Sequence, residues 1–241
     1  MPAVSFSARM TRLTTAIELA FTSPRGFARA VRFRNGPPRL ANLVRLIEAR
    51  KPATIVEIGV WRGETAQRMI LAATKHRDGV RYWGFDLFSE GITDEIMKHE
   101  VSLRPLDISE VERRLAGLGA SVTLIPGNSI ETLPATQLPQ IEFAFIDGGH
   151  SYTTVSADWR NLSGRLAPGA IVVFDDYTNE AAVEHEGYGV PALVDELRKT
   201  YPVELLEPVD TFPRPYGTLR TQLALLTFSL EAALADGHSK R

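Results

Sequence analysis

The sequence predicts an α/β protein: a mostly parallel sheet of seven strands, helices on both faces and an antiparallel hairpin at the C-terminal end. Three observations predict it. From residue 52 on, short apolar runs alternate with longer polar-apolar segments, the pattern of repeated strand-helix units. The chain has 241 residues, 44% hydrophobic and 23% charged, which suits one globular domain at this size. The last two strand candidates are joined by TFPRPYGTLR, too short and too rich in Pro and Gly for a crossover helix, so they pair antiparallel.

In chain order, TIVEIGV is the first strand, β-branched and bounded by glycine, and ETAQRMILAATKH the helix after it. VRYWGFDLF is the second strand, followed by an acidic helical stretch to about Leu118. SVTLIPG leads into SIETLPATQL, and IEFAFID into TTVSADWRNLSGRL, a helix that Ser151 caps and that stops before Pro168-Gly169. IVVFDDY precedes the helix VPALVDELRKTY, and the strands VELLEPV and TQLALLTF finish the sheet. Residues 52–230 thus form one Rossmann-like domain, with a polar tail at 231–241.

Residues 1–51 differ in kind. They hold ten Lys or Arg against Glu18 and Glu48, a net of +8, while the rest, with 17 basic and 27 acidic residues, carries −10. Apolar residues recur at helical spacing through TRLTTAIELAF and LANLVRLIEA. This reads as a basic N-terminal helical cap whose arginines face water or the acidic body, and its apolar stripe fits a homodimer contact. An Arg-rich, acid-poor start also has the composition of an organelle transit peptide. Cys is absent, so disulfides, thiolate metal sites and cysteine nucleophiles are excluded. No apolar run approaches the roughly 20 residues of a membrane-spanning helix. A cytoplasmic protein is expected.

Open sheets of this type bind ligands outside the carboxyl ends of their strands. Those ends are Glu57-Ile58-Gly59, Asp86, Gly127-Asn128-Ser129, Asp147 and Asp175-Asp176. Gly59 and Gly63 allow a tight turn and a close backbone approach. Their G-x-x-x-G spacing is neither the G-x-G-x-x-G of dinucleotide binders nor a P-loop. Glu57 disfavours a pyrophosphate and suits a cationic ligand. Asp86, 27 residues after Gly59, can accept both hydroxyls of a ribose. An adenosine-type ligand is expected there.

VEIGVWRGETA, WGFDLF, GNSIETLP, FAFIDGGHSY and IVVFDDY resemble, in order, the motifs of class I S-adenosylmethionine-dependent methyltransferases, over roughly residues 52–230. Within that class the chain looks most like the metal-dependent O-methyltransferases of small molecules: catechol, caffeoyl-CoA and macrocin-type enzymes. The resemblance implies that Glu57, Gly59, Trp61 and Thr65 surround the methionine part of S-adenosylmethionine, that Asp86 holds the ribose and that Ser129 approaches the adenine. Gly63, Asn128 and Asp147 complete the expected cofactor-binding set. Ile130 stands where the catechol enzymes have glutamine.

Successive strand residues point to opposite faces, so Asp175 and Asp176 converge only where the strand ends and the chain turns. If Asp147 joins them, three anions meet and need protonation or a cation. An all-oxygen set suits Mg²⁺, and the resemblance implies Mg²⁺ on Asp147, Asp175 and Asp176. His150, three residues after Asp147 in IDGGHSY, is a candidate general base, with Asp147 as the other catalytic candidate and His185 a weaker one. A lone turn histidine or strand-end aspartate also occurs as a cap.

The expected activity is Mg²⁺-dependent O-methylation of a small-molecule hydroxyl on a natural-product sugar, polyketide or phenol. Metal-independent methylation of N or O, and cofactor binding without catalysis, stay open. The −10 body, with no basic or aromatic run at the strand ends, argues against nucleic acid.

Overall fold

The structure is a computed structural model, and it describes residues 37–93 and 106–235. Most of the expected N-terminal cap, part of the acidic stretch before Leu118 and the end of the tail lie outside the described residues. A 3-10 turn, Pro38–Leu40, leads into α1 (Ala41–Arg50), then β1 (Thr54–Ile58), α2 (Glu64–Thr74) and β2 (Arg81–Asp86). Next come α3 (Ile108–Leu115), β3 (Ser121–Pro126), α4 (Ser129–Ala135), β4 (Ile141–Ile146) and α5 (Tyr152–Ser163). The chain continues as β5 (Leu166–Thr178), α6 (Glu180–Glu186), α7 (Val190–Leu197), β6 (Val203–Arg214), β7 (Gly217–Thr227) and α8 (Leu230–Ala235).

The seven strands lie in the order β3-β2-β1-β4-β5-β7-β6. β1 to β5 are parallel, and β7 runs antiparallel to β5 and β6. β1 is buried along its whole length, as a central strand covered on both faces must be. Alternate residues feed two core layers. Val56, Ile58, Ala144 and Ile146 meet Trp159 of α5 and Val194 of α7 on one face. Ile55, Phe143 and Phe145 meet Ile47 of α1 and Met69 of α2 on the other. The apolar side of α1 (Leu43, Ile47) is therefore buried in the chain's own core.

Chain order reverses between β1 and β4, whose ends lie level: Ile58 pairs with Ile146 and with Phe85 of β2. That reversal opens a crevice above the strands. Two expectations need correction here. β5 does not end at Asp175-Asp176 but runs to Thr178, with a bulge in which three steps along β5 match two along β7. The extra residue lets neighbouring aspartates face one side, and Asp176 takes a left-handed conformation, φ 57°, which aspartate tolerates better than most residues. TFPRPYGTLR, read as a loop, is mostly strand, with Arg214 already paired to Gly217. Pro168-Gly169 lies inside β5, while α5 stops at Ser163 and Ser151 caps it by accepting from Thr154 N.

The segment after α6 is tied to the turn before α5. Gly189 N donates to His150 O at 2.7 Å, and a Cβ on Gly189 would lie 2.0 Å from Tyr152 N. Gly189→Ala should therefore lower stability by about 2 kcal/mol or more, the cost of overpacking against backbone, as measured by urea unfolding.

Candidate active site

The crevice begins with the turn after β1. Gly59 has φ 89°, and a Cβ there would lie 1.8 Å from the carbonyl oxygen of Asp147. Glycine is thus demanded by the neighbouring strand end as well as by any ligand. Gly59 N donates to Phe85 O and Asp147 N to Ile58 O, both at 2.8 Å, which fastens three strand ends together. Gly63, φ 73°, opens α2, and a Cβ would meet Val111 of α3 at 2.9 Å. Trp61 between them also has positive φ, 48°, and Thr65 lies half-buried in the first turn of α2.

Asp86 is held by this turn: Trp61 N donates to Oδ2 at 2.7 Å and Phe88 N to Oδ1 at 2.8 Å. The backbone of Val60 and Leu87 adds to these bonds, so the carboxylate is fixed by the turn on both sides. Burial lifts the Asp86 pKa above the ordinary carboxyl range against those backbone bonds. Glu57 is fully buried; its Oε2 accepts from the Tyr82 hydroxyl, and its Oε1 has no partner. Desolvation pushes the Glu57 carboxyl up to about 8. An unpaired buried acceptor beside a glycine cradle fits a cationic ligand. Asn128 is the N-cap of α4, accepting from Ile130 N at 3.0 Å, and Ser129 opens that helix next to the end of β2, where Gly127 N donates to Asp86 O. The expected cofactor residues therefore rim one crevice, although Asn128 is occupied as a cap.

The family model "Methyltransferase domain" matches residues 56–177, the stretch that builds this crevice. The chain belongs to the methyltransferases. A relative from Streptomyces olivaceus, 8-demethyl-8-(2,3-dimethoxy-alpha-L-rhamnosyl)-tetracenomycin-C 4'-O-methyltransferase, is 30% identical over 188 residues, covering 68% of this chain and 72% of that protein. Among solved structures, the O-methyltransferase TomG from Streptomyces achromogenes with SAM superposes with a TM-score of 0.55 at 18% identity, covering 79% of this chain and 80% of that one. An O-methyltransferase from Bacillus cereus with SAH gives 0.52 at 14% identity, covering 95% and 93%. The fold and class read from the sequence hold: this is a class I S-adenosylmethionine-dependent O-methyltransferase.

The methyltransferase gathers further carboxylates beside the β1 turn. A cavity of about 10 Å³, close to the room one water molecule needs, is lined by Asp147, Gly148, Gly149, His150, Asp175 and Asp176. Burial pushes the Asp147 carboxyl well above its ordinary range, and the charges of Asp175 and Asp176 push it further. Asp175 is also raised by burial, against the pull of Arg39. Asp176 is buried too, but hydrogen bonding and charge from His150 outweigh that and hold it low. His150 Nε2 lies 3.2 Å from Asp176 Oδ2, and Thr221 Oγ1 donates to Asp176 Oδ1 at 3.2 Å. The His150 ring stacks on Tyr188, centroids 4.9 Å apart. His185 instead stands exposed on Tyr216.

Sequence reading missed two members of this cluster. Arg39, buried, donates from Nε and Nη2 to the two oxygens of Asp175 at 2.7 and 2.8 Å, and from Nη1 to Asp210 Oδ2 at 3.0 Å. Only the charge contrast between the two parts of the chain hinted at such a pair. Asp210 lay at the edge of a segment read as loop. The three aspartates expected to bind metal line one cavity, but Asp175 is engaged by Arg39, and among the described residues no group of three or more His, Asp or Glu side chains stands where it could hold a metal ion. No described helix is long and apolar enough to cross a membrane. A larger groove of about 400 Å³, lined by Tyr177, Asn179, Thr211, Arg220 and Gln222, lies on the other face of β6–β7, since Asp210 and Thr221 alternate with its residues.

Glu57 links this site to stability. A carboxyl raised in the folded state stabilises most below its unfolded pKa, and that contribution is lost as pH rises through the folded value. Between about pH 4.5 and 8 the ligand-free wild type should lose stability relative to Glu57→Gln, whose neutral amide does not titrate. Urea midpoints across that range measure it, and parallel pH profiles would contradict it.

Proposed function

We propose that the enzyme methylates a hydroxyl of a small natural-product molecule, with a sugar carried on a polyketide as the leading acceptor, and that a divalent cation such as Mg²⁺ assists. The observation that carries the reading is the cavity walled by Asp147, Asp175, Asp176 and His150 at the β4 and β5 ends, next to the glycine turn. Similarity to the rhamnosyl 4'-O-methyltransferase supports the sugar acceptor.

Glu57, the Gly59–Gly63 turn, Trp61, Thr65, Asp86 and Ser129 would hold S-adenosylmethionine, with Asp147 bordering it. When bound, S-adenosylmethionine supplies a methyl group on a positively charged sulfur. The acidic crevice attracts that charge, and the rigid turn orients the ligand relative to the cavity. The carboxylates of Asp147, Asp175 and Asp176 are the hard oxygen donors that a divalent cation such as Mg²⁺ takes, and His150, Ile146, Val155 and Val190 complete the wall around them. Asp147, Asp175 and Asp176 would hold Mg²⁺, which supplies positive charge that acidifies a nearby hydroxyl.

The chain's own part in the chemistry is proton removal and positioning. Asp176 pairs with His150 Nε2 at 3.2 Å, and this contact would orient the imidazole as the proton acceptor. His150 would take the proton of the acceptor hydroxyl, leaving its oxygen ready for the methyl group that S-adenosylmethionine would supply. In the metal-independent reading Asp147, once ionised, would be the second proton acceptor within the same cavity. Tyr188 keeps the imidazole plane fixed by stacking. A metal-independent reading is favoured by one observation, the guanidinium already seated on Asp175.

One experiment separates these readings. Calorimetric titration of S-adenosylmethionine should give saturable binding, and methyl transfer to a panel of glycosylated polyketides and phenols should proceed with Mg²⁺ and stop with EDTA. Turnover insensitive to EDTA would retire the metal, and transfer to phenols alone would retire the sugar. Asp175→Ala should reduce turnover by about 10²-fold or more while leaving cofactor affinity nearly unchanged.

A further inference from the structure

The cluster beside the cofactor crevice has four carboxylates, Asp147, Asp175, Asp176 and Asp210, and one buried guanidinium, Arg39. Arg39 reaches it from the turn before α1, far from the strand ends in sequence. Its fork covers both oxygens of Asp175 at 2.7 and 2.8 Å, and Nη2 lies 3.7 Å from Asp176 Oδ1. The turn is docked on β6 by further bonds: Arg39 N to Asp210 Oδ2 at 3.4 Å and Asn42 Nδ2 to Glu207 O at 2.8 Å. Planar two-point pairing of this kind is the strongest carboxylate interaction an arginine makes. A divalent ion that takes an oxygen of Asp175 must displace at least one arm of that fork. Asp210 outlies the cavity and offers the displaced guanidinium a second partner, so Arg39 need not be stranded.

We propose that Arg39 is an internal competitor for the cation site: the guanidinium closes the carboxylate cluster when the metal is away, and metal binding releases the Pro38–Leu40 turn from Asp175. The inference rests on the metal reading above, and it adds a control that the reading does not contain. The cluster keeps a counter-charge at all times, first from the chain and then from the ion, which avoids leaving buried like charges uncompensated. The same exchange couples site occupancy to the docking of α1.

Calorimetric titration of Mn²⁺ into the full-length wild type, Arg39→Gln and Arg39→Lys tests this. Arg39→Gln should bind Mn²⁺ about tenfold or more tightly, the equivalent of one charge-assisted hydrogen bond no longer displaced. Arg39→Lys, which keeps the charge but cannot fork, should fall between. In the wild type itself, Mn²⁺ should speed hydrogen exchange of the amides of residues 39–42, a readout that needs no variant to fold. Equal Mn²⁺ affinity in all three proteins with unchanged exchange would overturn the competition while leaving a metal site standing. No saturable Mn²⁺ binding to any of them, with cofactor binding intact, would overturn the metal reading and this inference together.

Discussion

The upper face of the sheet depends on how buried negative charge is kept in balance. Each of β1, β2, β4 and β5 carries an acid at or near the upper edge of the sheet, and the hydrogen bonds between strand ends hold those acids close to one another. Carboxylates in such surroundings either take up protons, attract a cation or pull in a basic side chain. This protein shows two of those responses. Glu57 and Asp147 are pushed towards the protonated form, chiefly by burial, while Asp175 and Asp210 share Arg39. A ligand with a positive charge therefore enters a place prepared for it.

The backbone contributes as much as the charges. The left-handed conformation of Asp176 and the β5 bulge turn an alternating strand into one that presents adjacent carboxylates together. Gly59 lets the β1 turn pass so near Asp147 that no other residue would fit. Crevice and cavity are thus joined through main-chain contacts, which makes their spacing insensitive to side-chain rotamers. Electrostatic preorganisation of this kind is the usual way a transferase lowers its barrier.

Much of this was legible in the sequence because the relevant signals are local. A buried strand announces itself by its β-branched run, and the acid that stops the run marks its carboxyl end; this holds for Asp86 and Asp147, whereas Asp175 lies inside the longer β5. The glycines at 59 and 63 and the cap at Ser151 are likewise written within a few residues. Arg39 was not legible, since its partners lie 136 and 171 positions away and nothing near it distinguishes it from the other basic residues of its segment. The bulge at Asp175-Asp176 was hidden because it depends on the register with β7, a strand found much later in the chain. Asp210 was missed for a related reason: the prolines around it suggest a loop, yet the edge position of β6 in the sheet tolerates them.

The bond from Gly189 to the His150 carbonyl and the Tyr188–His150 stack bear on what holds the imidazole in place. The stretch between α6 and α7 leads into Val190, which lines the cavity, and it also braces the imidazole. Displacing that stretch would strip His150 of both supports at once. The orientation of that ring is consequently governed by a segment well separated from it in the chain, and whatever shifts one shifts the other.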